Sequence, residues 1–185
     1  MACARRVLRV AVRTSFRPIA RRDARVLIVG SMPGERSLAA GQYYAHPANA
    51  FWPIVAAYCG VAPDASYVQR ARAVRAHGIA LWDVLHSCER AGSLDAAIVR
   101  RSSQPNDFVT FLRQHPRITA VLCNGATAHD LFVRRVVPQL ADRTLRIERL
   151  PSTSPAHASL RPDAKRRRWH AALAEVVPRD VSAAR

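Results

Sequence analysis

Four short apolar runs divide the chain: "ARVLIVG" (24–30), "IALWDVL" (79–85), "ITAVLCNG" (118–125) and "TLRIERLPS" (144–152). The first three are apolar without alternation, as strands covered on both faces are. The fourth is more polar, which predicts a strand at the sheet edge. Between the runs the spacing becomes helical. After Pro47, a residue suited to a first helical turn, Phe51, Ile54, Val55 and Tyr58 fall at i, i+3, i+4 and i+7, and Gly60 supplies a stop. Tyr67, Val68, Ala71 and Val74, with Arg70, Arg72 and Arg75 around them, predict a second helix. Pro105, Asn106 and Asp107 open a third, whose Phe108, Phe111 and Leu112 share a face. A fourth is expected over 125–133, and a fifth over 163–177 with Trp169, Leu173, Val176 and Val177 inward.

Strands alternating with helices imply a parallel sheet with helices on both faces and right-handed crossovers. Ligands of such sheets bind at the carboxyl ends of the strands. The segments "GSMPG", "CNG" and "LPSTSPAH" all follow predicted strands and are expected to converge there.

Composition narrows the picture. At 185 residues and 49% hydrophobic, the chain fits one domain better than two. The expected division is a flexible basic arm at 1–20, a domain at 21–178 and a disordered tail at 179–185. Lys and Arg total 29 against 13 Asp and Glu, a formal charge of +16, and Lys165 is the one lysine. That imbalance favours a polyanionic partner, nucleic acid before a membrane surface, because binding releases phosphate counterions; an arginine-rich composition without such a role is the alternative. Cys3, Cys59, Cys88 and Cys123 are scattered without metal-ligand spacing, as reduced cytosolic thiols are. No apolar run approaches the roughly 20 residues that span a bilayer.

The chemistry concentrates in "GSMPGERSLAAGQYYAHPANAFW" (30–52), which offers no metal cluster, nucleophile triad or carboxylate pair. Gly30 and Gly34 bracket a tight loop whose N–H groups can turn inward; it lacks the signature of a P-loop or a GxGxxG fingerprint. Tyr43 and Tyr44 are packing residues or a stacking platform for a base. His46 can protonate or hydrogen-bond a substrate or contact the helix entry, and Asn49, placed in the first helical turn, can cap it or face the crevice. Asp83 is the acid best placed at a strand end, as a cap or to orient a loop or water, and Glu35 is the other acid near the first motif. The hydroxyls of "LPSTSPAHASLRP" (150–162) suit phosphate contacts that position a nucleic acid without reading it.

Together, "GSMPGERSLAAGQYYAHPANAFW", "VLCNGATAHDLF" and "LPSTSPAHA", in this order, resemble the uracil-DNA glycosylase superfamily, and most closely its hypoxanthine-DNA glycosylase branch, over about residues 15–177. The resemblance implies a three-layer α/β/α sandwich around a short, mainly parallel four-stranded sheet. It also implies a monofunctional, cofactor-free and metal-free hydrolase that extrudes a damaged nucleotide from duplex DNA and cleaves its N-glycosidic bond.

By that likeness Gly30, Ser31, Met32, Pro33 and Gly34 form the water-activating loop, Tyr44 stacks on the extruded base, Asn49 is the motif asparagine, and Asn124 and Gly125 contribute to the base pocket. Ser152, Thr153, Ser154, Pro155, His157 and Ala158 belong to a loop entering the minor groove, with Arg161 behind it. Asn49, His46 and Ser31 are the expected catalytic set. Met32 departs from the Asn or Asp of other branches and cannot orient or deprotonate water, so catalysis is expected to rest on stabilising the departing base.

The leading expectation is a monomeric, cytoplasmic deoxyinosine glycosylase without a membrane partner. A uracil or xanthine glycosylase, a catalytically silent DNA-binding homologue, and a small-molecule hydrolase or nucleotide-binding domain are the alternatives.

Overall fold

The computed structural model describes residues 11–141, 143–157 and 160–177. Cys3, the first half of the expected arm, Ala158 and the expected tail lie outside the described residues.

Strands β2 (Val26–Gly30), β3 (Ile79–Asp83), β6 (Ala120–Asn124) and β7 (Arg146–Leu150) form a parallel sheet in the order β3-β2-β6-β7. Val26 stands opposite both Ile79 and Ala120, and Ala120 opposite Arg146, so the four carboxyl ends emerge together. The two-residue period then sorts the side chains. Val26, Ile28, Ile79, Leu81, Ala120 and Leu122 meet helices α2 (Phe51–Tyr58), α3 (Tyr67–Ala76) and α6 (Pro162–Val176). Leu27, Val29, Ala80, Trp82, Val121 and Cys123 meet α4 (Phe108–Gln114), α5 (Ala126–Leu131) and the π turn that continues α5 over 132–136. Two apolar layers on one sheet make the three-layer sandwich that the sequence implies, with β7 at the edge.

Local chemistry fixes the helix starts. Ser66 and Gln69 form a reciprocal capping box on α3, and Asp107 accepts from the Thr110 N–H at 2.9 Å to cap α4. Pro47 is not a first-turn residue, because α2 begins at Phe51, and Pro105 lies in the two-residue strand β5 (Gln104–Pro105) rather than opening α4. Val68 is an exposed member of α3.

The run 79–85 is not one strand. It breaks after Asp83, where the Val84 and Leu85 N–H groups donate to the Gly30 and Ser31 carbonyls at 2.8 and 3.1 Å. The chain then continues as β4 (Leu85–Glu89), which pairs antiparallel with β5 and with β1 (Val12–Thr14). Residues 12–20 are accordingly not a free arm: β1 is a sheet strand, and Ile19 bridges to Leu81. A short helix, α1 (Glu35–Ala40), follows the first-motif loop and closes on Gly41 in the left-handed conformation. Cys59, Cys88 and Cys123 are buried, and none is in a disulfide among the described residues. Among the described residues no helix is long and apolar enough to cross a membrane.

Candidate active site

The carboxyl ends of the parallel strands open into a cleft of about 680 Å³, lined by Gly30 to Gly34, Tyr44, His46, Asn49, Asp83, Asp95, Asn124, Gly125 and 151–157. The three motif segments therefore converge, and of the expected site residues that are described only Arg161 stands outside the lining. Arg161 is exposed at the start of α6.

The first-motif loop is held through its carbonyls. Those of Gly30 and Ser31 accept from Val84 and Leu85, while Arg90 donates to the carbonyls of Met32 (3.2 Å) and Pro33 and, through Nε, to Gly92 (3.0 Å). All peptide bonds described are trans, so the N–H groups of Ser31, Met32 and Gly34 point opposite to these donors. Such an array of backbone donors suits a developing negative charge. Met32 contributes backbone only. Its side chain, 5% exposed, packs with Leu85, Cys88 and Ile98, in keeping with a residue expected to have no part in orienting water.

Tyr43 is a packing residue: it is buried, its hydroxyl donates to the Arg17 carbonyl at 3.2 Å, and its ring meets Phe16 edge-on. Tyr44 differs. Its φ of 54° places it in the left-handed region, and its ring stacks on Phe51 at 3.7 Å. Its buried hydroxyl has no hydrogen-bond partner. Burial and the nearby Asp83 push the phenol upward, with the adjacent Asn124 amide opposing them. Gly30 permits this arrangement, since a Cβ there would stand 2.5 Å from Asp83 Oδ1 and 3.1 Å from the Tyr44 hydroxyl.

The motif amides are partly committed to the fold. Asn49 lies before α2, and its Oδ1 accepts from the Phe51 N–H at 2.9 Å, leaving Nδ2 as the group that can donate to a ligand. His46 Nδ1 accepts from the Ala48 N–H at 3.1 Å. Asn124 clamps the last loop: Nδ2 donates to Thr153 Oγ1 and Oδ1 accepts from the Thr153 N–H, both at 2.8 Å. Thr153 itself is 1% exposed, so it braces the loop and is not available for the expected DNA contact. Gly125 (φ 96°) leaves room for Ser152, whose Cβ would stand 2.9 Å from an added Cβ. The Ser152 and Ser154 hydroxyls accept from the Ser154 and Ala156 N–H groups at 3.2 and 3.3 Å. Lys165 Nζ supports the same loop through the His157 carbonyl at 3.2 Å.

The opposite wall comes from 83–95, most of which the motifs do not mark. Asp83 is 2% exposed, and its Oδ2 has no hydrogen-bond partner. Burial first, and the negative charge of Asp95 second, push its carboxyl up to about 8 against the pull of Arg90. Asp95 accepts from the Ser31 hydroxyl at 2.6 Å. Burial also raises the Asp95 carboxyl, while Ser31, Arg90 and the Thr127 hydroxyl hold it down. Arg90 is 1% exposed, and in so arginine-rich a chain nothing in the sequence singles it out. The signal that could have found Asp95 is its short distance in sequence beyond a predicted strand end. Among the described residues no three His, Cys, Asp or Glu side chains group to hold a metal ion.

The chain is 33% identical to a hypoxanthine DNA glycosylase from Methanosarcina barkeri over 60% of its own length and 69% of that protein. It is 29% identical to a hypoxanthine DNA glycosylase from Methanosarcina acetivorans over 79% of its length and 89% of that protein. A solution NMR structure of a candidate uracil DNA glycosylase from Methanosarcina acetivorans superposes with a TM-score of 0.74 at 27% identity, covering 90% of this chain and 99% of the other. The family model for the uracil DNA glycosylase superfamily matches residues 18–176, nearly the whole described fold, and the chain belongs to that superfamily.

Proposed function

We propose that this chain is a monofunctional DNA glycosylase that extrudes a deaminated nucleotide and hydrolyses its N-glycosidic bond, with hypoxanthine as the preferred base. The observation that carries this reading is the cleft itself: a stacking ring, a row of backbone donors and two orphaned buried polar atoms share one floor at the strand ends. Such orphaned atoms are costly without a ligand. A flipped purine supplies polar edges for them and a π-face for Tyr44. The two relatives named hypoxanthine DNA glycosylases support the choice of base.

In this mechanism negative charge develops on the departing base while the sugar becomes cationic. The N–H groups of Ser31, Met32 and Gly34 and the Nδ2 of Asn49 stabilise the departing base, each donor contributing roughly 2.7 to 4 kcal/mol if it acts as an oxyanion-hole donor does. Ser152, Ser154, Pro155 and His157 face the duplex from the opposite rim. The enzyme acts as a monomer on duplex DNA in the cytoplasm, without metal or cofactor.

The test is single-turnover excision on duplexes containing inosine, uracil or xanthine, with alkaline cleavage of the abasic product. Inosine is expected to be cut fastest. Tight lesion binding without an abasic product from any of the three would overturn the reading in favour of a silent DNA-binding homologue.

A further inference from the structure

We propose that an acid–base pair absent from the first motif is assembled from Asp83 and Asp95, Asp83 giving a proton to the departing base and Asp95 taking one from the attacking water. The proposal rests on the glycosylase reading and deepens it. Asp83 lies at the cleft floor with Oδ1 against Gly30 and Oδ2 buried and unpartnered. A carboxylate only accepts hydrogen bonds, so an ionised Asp83 would bury Oδ2 without a donor; the neutral acid, protonated on Oδ2, removes that cost and leaves an O–H whose acceptor must come from a ligand. Asp95 has the opposite surroundings, with the Ser31 hydroxyl on Oδ1 at 2.6 Å, the Thr127 hydroxyl beside it and Arg90 nearby. Two carboxyls in one cleft, one with an oxygen that no donor reaches and one held by two hydroxyls, divide into acid and base.

The step balances without any further reactant. The C1′–N9 bond breaks with its electron pair on the purine, which takes the Asp83 proton and leaves neutral. Water adds its oxygen to C1′ and gives its proton to Asp95, and solvent exchange returns one proton from Asp95 to Asp83. The charged or titratable groups facing Asp83 are Tyr43, Tyr44, Asp95 and Arg90. Arg90, Cys88 and Tyr44 face Asp95, while His46, His157, Arg36, Arg149 and Arg168 line the cleft around the pair.

Single-turnover excision of inosine against pH tests the pair, with binding to a duplex carrying non-cleavable 2′-fluoro-deoxyinosine measured in parallel. The wild-type rate is expected to fall above pH 8 as Asp83 ionises. Asp83→Asn and Asp95→Asn are each expected to lose about 100-fold or more in rate, with binding unchanged, and to abolish the alkaline and acid limbs respectively. A wild-type rate that climbs through pH 9 overturns the assignment without any variant. So does an Asp83→Asn enzyme that keeps the alkaline limb. If the wild type releases no base from any duplex, the glycosylase reading itself fails.

Discussion

The wall that carries Tyr44, His46, Asn49 and Asn124 largely satisfies itself: Asn49 accepts from Phe51, His46 from Ala48, and Asn124 exchanges two bonds with Thr153. The wall that runs from Asp83 to Asp95 does not, since among the described residues Asp83 Oδ2 has no partner and Arg90 sends Nη1 and Nη2 to the first-motif loop, keeping only Nε for Gly92 of its own wall. Apart from the Tyr44 hydroxyl, a segment dense in recognisable residues therefore builds the frame, and a segment without a recognisable pattern supplies the unmet carboxyl. A motif asparagine or histidine does double duty as backbone cap, whereas a buried acid with no donor has no structural use to explain it.

Arg90→Met gives the largest expected effect on the fold. It leaves the carbonyls of Met32, Pro33 and Gly92 without their donor, and at about 1 to 3 kcal/mol per unsatisfied buried group the loss is about 3 kcal/mol or more. Calorimetry should show Tm falling on the order of 10 °C, and inosine excision should fall with it because the loop N–H groups lose their orientation. An unchanged Tm would break the view that this wall holds the other. Asn49→Ala comes next, with single-turnover excision down about 100-fold, the loss expected for one transition-state donor, and stability down by about 1 kcal/mol for the lost contact with the Phe51 N–H. Full excision by this variant would remove Asn49 from the mechanism.

Met32→Asn sharpens the comparison further. The sequence alone makes it a restoration of a water-binding side chain, but the structure places the new amide among Leu85, Cys88 and Ile98. The expected outcome is a loss of about 2 kcal/mol in denaturant unfolding with no gain in uracil excision. A faster uracil reaction would show that the loop turns this residue toward the cleft.

On stability, Asp83→Asn gives the smallest effect, and it depends on pH. The carboxyl is raised in the fold to about 8 from an unfolded value of 3.8, so the folded state favours the proton. The stability linked to that proton is complete below the unfolded value and is lost as pH rises through the folded one. The neutral amide escapes this loss. Tm of the variant relative to wild type should rise between pH 5 and 8 by a few degrees; a constant difference would show that Asp83 is ionised in the fold as it is in the unfolded chain.

Much of the fold was legible because burial on both faces writes itself into composition. The runs 24–30 and 118–125 could only be central strands, and Trp169 and Leu173 could only face inward. The break after Asp83 was not legible, since Val84 and Leu85 are as apolar as the strand before them; what turns the chain is their hydrogen bonding to Gly30 and Ser31, which belongs to another strand's end. For the same reason residues 12–20, read as a basic arm, become a strand and a bridge once β4 and β3 are there to pair with.

By itself the sequence determined the parallel sheet, its edge, the convergence of three motifs at the strand ends and the likeness to a glycosylase superfamily, all of which depend on local patterns of polarity and spacing. Tertiary structure alone decided which way Met32 points, which arginine among many is buried, and which of two acids lacks a donor. Those are properties of contacts between segments about 60 residues apart along the chain, as the Ser31 to Asp95 and Arg90 to Met32 bonds are, and no local pattern of residues encodes them.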